Sequence, residues 1–193
     1  MEIDLKNKTP GIRKLSDMKT VLYDQEWAGK TPDLELYYMY RGLEEKEGLR
    51  YDITVIPARK LGQEFVKTKG HNHTESYGEL YIVLEGEAIY LMQKGDENKI
   101  ADVCAIKAKK GEAALIPSGY GHVTINPSEK DLKMANWICK NCRNDFSLFE
   151  SLQGACYYYT ENGWVKNENY KEVPELRFES SLKEIPQNLD SLK

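Results

Sequence analysis

The chain has 193 residues, 27 Lys and Arg against 31 Asp and Glu, and a formal charge of −4, which suits one domain with a core of its own. No Lys/Arg cluster is denser than Lys107-Ala-Lys109-Lys110, which argues against a nucleic-acid partner. No apolar run has the length of a membrane span, and the opening Met1-Glu-Ile-Asp-Leu-Lys6 has no basic start followed by an apolar stretch, so the expected compartment is the cytoplasm and no membrane partner is expected.

In chain order, residues 1–33 carry scattered charges and read as an N-terminal extension packing on a barrel. Ser16-Asp17-Met18 is expected to cap a short helix, and Thr31-Pro32-Asp33 to form a turn. Strand patterns then occupy residues 34–41, 51–56, 64–68, 80–84, 88–93, 103–107, 113–116, 132–139 and 155–159. Residues 80–84 are almost wholly apolar, which predicts burial on both faces. Glu85-Gly86-Glu87, Lys109-Lys110-Gly111-Glu112 and Glu161-Asn162-Gly163 are turn signals. Short strands at spacings of about 8–12 residues indicate an all-β barrel or sandwich. We expect the barrel over residues 34–165 and a C-terminal extension, 166–193, that either wraps it or frays.

Four cysteines are present, of which Cys139-Lys-Asn-Cys142 has C-x-x-C spacing. A redox pair is one reading. Reduced residues of an intracellular strand and turn are the expectation, because no second pair accompanies them to make a zinc site. The Tyr-rich residues 34–41 and Tyr157-Tyr158-Tyr159 read equally as core or as interface.

The chain's three histidines are His71, His73 and His122. His71-Asn-His73 places two imidazoles on one side of a strand, where both reach one point, as a metal ion requires. Glu75 or Glu79 supplies a carboxylate on parity alone. A second cluster, Gly111, Pro117, Gly119, His122 and Asn126, has the spacing G-x5-P-x-G-x2-H-x3-N. Gly111 turns the chain into a strand, and Pro117 and Gly119 stop it and fold it back. His122 then opens the next strand pointing inward.

These two clusters resemble the paired motifs of the cupin superfamily, H-x-H…E-x6-G and G-x5-P-x-G-x2-H-x3-N. The gap from His73 to Glu79 is one residue longer than usual, and Phe65 stands where the general pattern has Gly. The resemblance implies an all-β, single-domain cupin (a double-stranded β-helix or jelly-roll barrel) with short N- and C-terminal extensions. It also implies one divalent metal on His71, His73, Glu79 and His122, since the E-x6-G context selects Glu79. Two positions of an octahedral ion would stay open, which indicates a catalytic rather than a structural metal.

Residues 11–126 resemble, more closely, the cupin-type phosphoglucose isomerases first known from archaea. The matching pieces are Ile12-Arg-Lys-Leu-Ser-Asp-Met18, Glu44-Glu-Lys-Glu-Gly48, Thr54-Val55, Thr68-Lys-Gly-His-Asn-His73 and Glu79-Leu-Tyr81. This resemblance implies interconversion of glucose 6-phosphate and fructose 6-phosphate in glycolysis and gluconeogenesis. Glu79 and Tyr81 would be catalytic, and Thr54, Thr68, Gly70 and Tyr81 would bind substrate. One of Tyr37 and Tyr38 would join them, while Lys69 is expected to point away. Hydrogen would move between C1 and C2 through an enediol, with Glu79 as base, or by hydride shift. Fe2+ is the favoured ion, with Mn2+, Ni2+, Co2+ and Zn2+ also fitting. A homodimer is expected. The family's His-Asp-Tyr segment is replaced by Asn144-Asp145-Phe146. The alternatives are a cupin Fe(II) oxygenase and a non-catalytic sugar-binding cupin.

Overall fold

The computed structural model describes residues 3–193; Met1 and Glu2, the start of the expected N-terminal extension, lie outside the described residues. In chain order the strands are β1 (Gly11–Lys14), β2 (Glu35–Lys46), β3 (Leu49–Ile56), β4 (Lys60–Leu61), β5 (Glu64–Phe65), β6 (Asn72–His73), β7 (Glu79–Glu85) and β8 (Glu87–Gly95). They continue as β9 (Ile100–Lys109), β10 (Ala113–Ile116), β11 (Gly121–Ile125), β12 (Leu132–Cys139), β13 (Asn144–Asp145), β14 (Tyr157–Thr160), β15 (Gly163–Lys166) and β16 (Arg177–Ser180). Two short helices, α1 (Gln25–Lys30) and α2 (Ser147–Ser151), interrupt them. Among the described residues no helix is long and apolar enough to cross a membrane.

Two antiparallel sheets make the body. One runs β1-β2-β3-β12-β7-β10 and the other β11-β8-β9, with β16 added in parallel at its edge. Smaller groups, β15-β14-β5-β4 and β13-β6, close the ends. The main core draws Tyr37, Ile56, Tyr81 and Val83 from the first sheet and Tyr90, Met92, Val103, Ala105, Val123 and Ile125 from the second. That shared core is the cupin arrangement of two sheets face to face. β7 is buried from Glu79 through Val83, in agreement with its apolar run.

Several local expectations change. The helix expected behind Ser16 is two 3-10 turns, Leu15–Asp17, in which Asp17 accepts from Lys14 N at 3.0 Å, and Lys19–Val21; Ser16 instead bonds Asp33. α1 is capped by Asp24, whose carboxylate accepts from Trp27 N at 2.9 Å. Residues 64–68 pair as strand only at β5, with Lys67 bridged to Ile125. The C-terminal segment wraps: β16 pairs in parallel with β9, Leu182 bridges to Ala113, and Leu192 is fully buried. Tyr37, Tyr157 and Tyr158 are buried in the core, while Tyr38, Tyr40 and Tyr159 are partly exposed.

Candidate metal centre and pocket

The pocket wall is a set of cross-strand pairs. Met39 faces Thr54, Thr54 faces Met134, Asp52 faces Asn136, Asn136 faces Tyr81, and Ile138 faces both Arg50 and Glu79. Alternate residues of a strand share one face, so this register aims all of them into a single cavity. His71 and His122 form an antiparallel bridge beside it. His73 sits on β6, opposite Asn144 of β13. Pro117 and Gly119, the latter at φ +80°, turn the chain between β10 and β11 and so set His122 on β11. Asn126 is fully buried; its side chain donates to Ile56 O and Lys130 O, both at 2.9 Å, and locks the turn after β11.

His71, His73, Glu79 and His122 each offer one donor atom within 4.8 Å of the others. Glu79 Oε2 lies 3.3 Å from His73 Nε2 and 3.1 Å from His122 Nε2. Yet His73 Nε2 and Glu79 Oε2 are buried with no hydrogen-bond partner, as is His122 Nδ1. Buried polar atoms are seldom orphaned. Here four potential ligand groups lie together with buried atoms unmatched, which fits a metal ion. His73 Nδ1 contacts Tyr77 O at 3.0 Å, the outer contact that fixes a ligating imidazole. Glu75 is exposed and bonds Thr74, so Glu79 is the carboxylate at the cluster.

These groups perturb one another's protonation. Burial pushes the Glu79 carboxyl up, but His122 and His73 reverse this and hold it far below the usual range. Burial opposes the His73 imidazolium, yet Cys142 and Glu79 lift it to about 10. His71 is held well below its ordinary value by burial and then by His122, which keeps it in the neutral, ligating form. Burial, and then the Glu79 charge, push the Tyr81 hydroxyl well up, so it keeps its proton; it lies 3.1 Å from His122 Nε2.

Thr54, Thr68, Gly70 and Tyr81, expected at the substrate, all line the same cavity. Thr68 Oγ1 accepts from Thr124 N at 2.9 Å, which leaves its own hydrogen for a ligand. Gly70 has φ +81°, and a Cβ there would meet Phe149 at 2.6 Å. Of the two candidate tyrosines, Tyr37 lines the cavity and accepts from Lys69 N at 3.2 Å, while Tyr38 bonds Glu35 outside it. Lys69 does not point away: it lines the cavity, with Nζ 5.4 Å from the Phe146 ring centroid. Sequence reasoning missed Arg13, Met39, Arg41, Arg50, Asp52 and Asn136. Strand parity around Tyr37 and Thr54 was the available signal for Met39, Arg41, Arg50 and Asp52. Arg13 and Asn136 become neighbours of the site only through long-range pairing.

A family model described as glucose-6-phosphate isomerase (GPI) matches residues 12–175. The chain is 33% identical over 167 residues to the glucose-6-phosphate isomerase of Thermococcus litoralis, covering 83% of this chain and 86% of that one. It is 34% identical over 185 residues to the enzyme of the same name from Thermococcus kodakarensis, covering 89% and 96%. A solved structure described as a predicted oxalate decarboxylase from Thermotoga maritima is 20% identical with a TM-score of 0.45, covering 71% of this chain and 96% of that one.

Proposed function

The chain belongs to the glucose-6-phosphate isomerase family, and we propose that its aldose–ketose exchange runs on one divalent metal ion held by His71, His73, Glu79 and His122. The activity is that of a glucose-6-phosphate isomerase, with a phosphorylated hexose as substrate. The observation that carries the metal reading is the cluster of four potential ligands, three of which, His73, Glu79 and His122, each have a buried polar atom without a hydrogen-bond partner. When bound, such an ion supplies Lewis-acid polarisation of the sugar carbonyl.

The chain's own residues do the rest. Thr54, Thr68 and the bare backbone at Gly70 accommodate the sugar phosphate. Tyr81, kept protonated by burial, holds a hydrogen at the reacting end beside His122. Glu79 is held ionised by its imidazole neighbours and is therefore a weak base, which favours hydride shift over the simplest enediol route. Iron(II) is the ion we favour among those this donor set accommodates. Four buried thiols, Cys104, Cys139, Cys142 and Cys156, support a reducing compartment, and we assign the cytoplasm. We assign a homodimer, with edge strand β1 and its exposed Ile12 available to a second copy.

The test is to strip the protein with chelator, reload it with single divalent ions and assay fructose 6-phosphate for glucose 6-phosphate formation. Activity that disappears on stripping and returns with an ion is the expected result. Full activity in stripped protein would remove the metal from the mechanism. Oxygen consumption without isomerisation would favour an oxygenase.

A further inference from the structure

We propose that Arg13, delivered by the first strand from outside both histidine motifs, is the charge that fixes the anionic end of the substrate. The proposal rests on the isomerase reading. β1 pairs antiparallel with β2 so that Arg13 lies opposite Tyr37, and both line the cavity. Arg13 Nε is buried and has no hydrogen-bond partner. The other cations of the wall differ. Lys69 pairs with Glu150 at 2.5 Å, and Arg50 pairs with Asp52 at 3.0 Å. Arg41 is exposed and contacts Met39 Sδ at 3.5 Å. Among the described residues no carboxylate pairs with Arg13. A buried guanidinium donor left unmatched is costly, so a residue held this way in a binding cavity is matched by what enters it.

The position suits an acceptor at one end of a ligand. The Arg13 guanidinium lies over the Phe146 ring at 5.8 Å, Lys69 Nζ stands 5.4 Å from the same ring, and the His71 ring lies 5.7 Å from it. Phe146 thus has one proposed metal donor and a pair of cations as neighbours. A hexose 6-phosphate has its reacting carbonyl at one end and a dianion at the other. Arginine presents a planar fork that matches phosphate oxygens two at a time, and an aromatic face holds that fork in plane. Lys69, already neutralised by Glu150, adds less net charge. Arg13 is therefore a substrate-binding residue that sets preference for the phosphorylated sugar.

The experiment compares metal-loaded wild type with Arg13→Gln, Arg13→Lys and Arg41→Gln. The readouts are KM and kcat with fructose 6-phosphate, and the Kd of inorganic phosphate by titration calorimetry, which needs no turnover. Arg13→Gln is expected to raise KM and the phosphate Kd by at least about tenfold with kcat within about threefold. Arg13→Lys should recover part of the loss, and Arg41→Gln should shift both constants by less than about threefold. Wild-type KM and Kd in Arg13→Gln overturn the proposal, as does a larger effect from Arg41→Gln. If Arg13→Gln fails to fold, Arg13→Lys decides: unchanged constants there overturn it. A wild type that binds phosphate through Arg13 but does not isomerise sinks the isomerase reading and leaves this one standing.

Discussion

His71 and His122 exchange their main-chain hydrogen bonds: His71 N donates to His122 O at 3.2 Å, and His122 N donates to His71 O at 3.0 Å. Two of the four proposed ligands are thus mounted on one antiparallel bridge, their rings 4.5 Å apart and steeply inclined at 64°. The mount is made of backbone and survives a change of side chain. His122→Gln should therefore keep the fold, with an unchanged far-ultraviolet circular dichroism spectrum, while metal affinity falls by more than about 100-fold. Metal content after gel filtration measures it. Full occupancy in the variant would remove His122 from the site.

Gly70→Ala should destabilise the protein by about 2 kcal/mol or more. Two causes add. The residue has φ +81°, and a new Cβ would meet Phe149 at 2.6 Å and Val123 at 2.7 Å. Both contacts are side chains of the core beneath the proposed phosphate loop, so the loop lifts and KM rises with the loss of stability. Urea midpoints and KM on one preparation check both halves. A variant with wild-type values would show that the loop has room to spare.

Lys67 and Glu64 form an ion pair at 2.5 Å with side chains 6% and 1% exposed. Burial pushes the Glu64 carboxyl up, and Lys67 pulls it back. Glu64 also accepts from Tyr23 N at 2.6 Å, which ties the N-terminal segment to the barrel. Lys67→Ala leaves a charge without its partner and should cost about 3–5 kcal/mol. Adding Glu64→Leu to Lys67→Met should recover most of that in a urea titration. A double variant no better than Lys67→Ala would place the cost in packing instead.

Asp102 provides a pH test outside the pocket lining. Arg177 pairs with it at 2.6 Å, and together with Tyr120 holds its carboxyl at about 2 against the opposing effect of burial. The folded value lies below the unfolded one, so the stabilisation is fully present above about pH 4 and is lost as pH falls through about 2. The pair is partly exposed, so solvent screening limits it to about 1 kcal/mol or less. Arg177→Ala should lower the Tm at pH 7, and its gap from wild type should close by about pH 2. A gap that stays constant with pH would mean that Arg177 acts through packing of β16.

The features legible in the sequence were those encoded over short distances. His71 and His73 share a strand face, Pro117 and Gly119 stop a strand, and the apolar run is buried from Leu80 through Val83; each of these is a local fact. Glu79 and Glu75 have the same parity and were separated only by resemblance until the fold placed one inside and left the other in solvent. What stayed hidden depends on closure of the sheets. Arg13 enters the pocket because β1 pairs with β2, and Lys69 turns inward because the chain before Gly70 is bridged to β11 and not held in a regular strand. The parallel pairing of β16 with β9 joins residues as far apart as Cys104 and Arg177, and no local pattern announces it.

The chain's three imidazoles all belong to one cluster. Histidine is therefore a background-free reporter of this protein. Ring-selective 15N labelling of histidine yields three ring systems, all of them in this cluster. Chemical modification of histidine is likewise an assay of one location, and protection against it by substrate measures occupancy of the pocket directly.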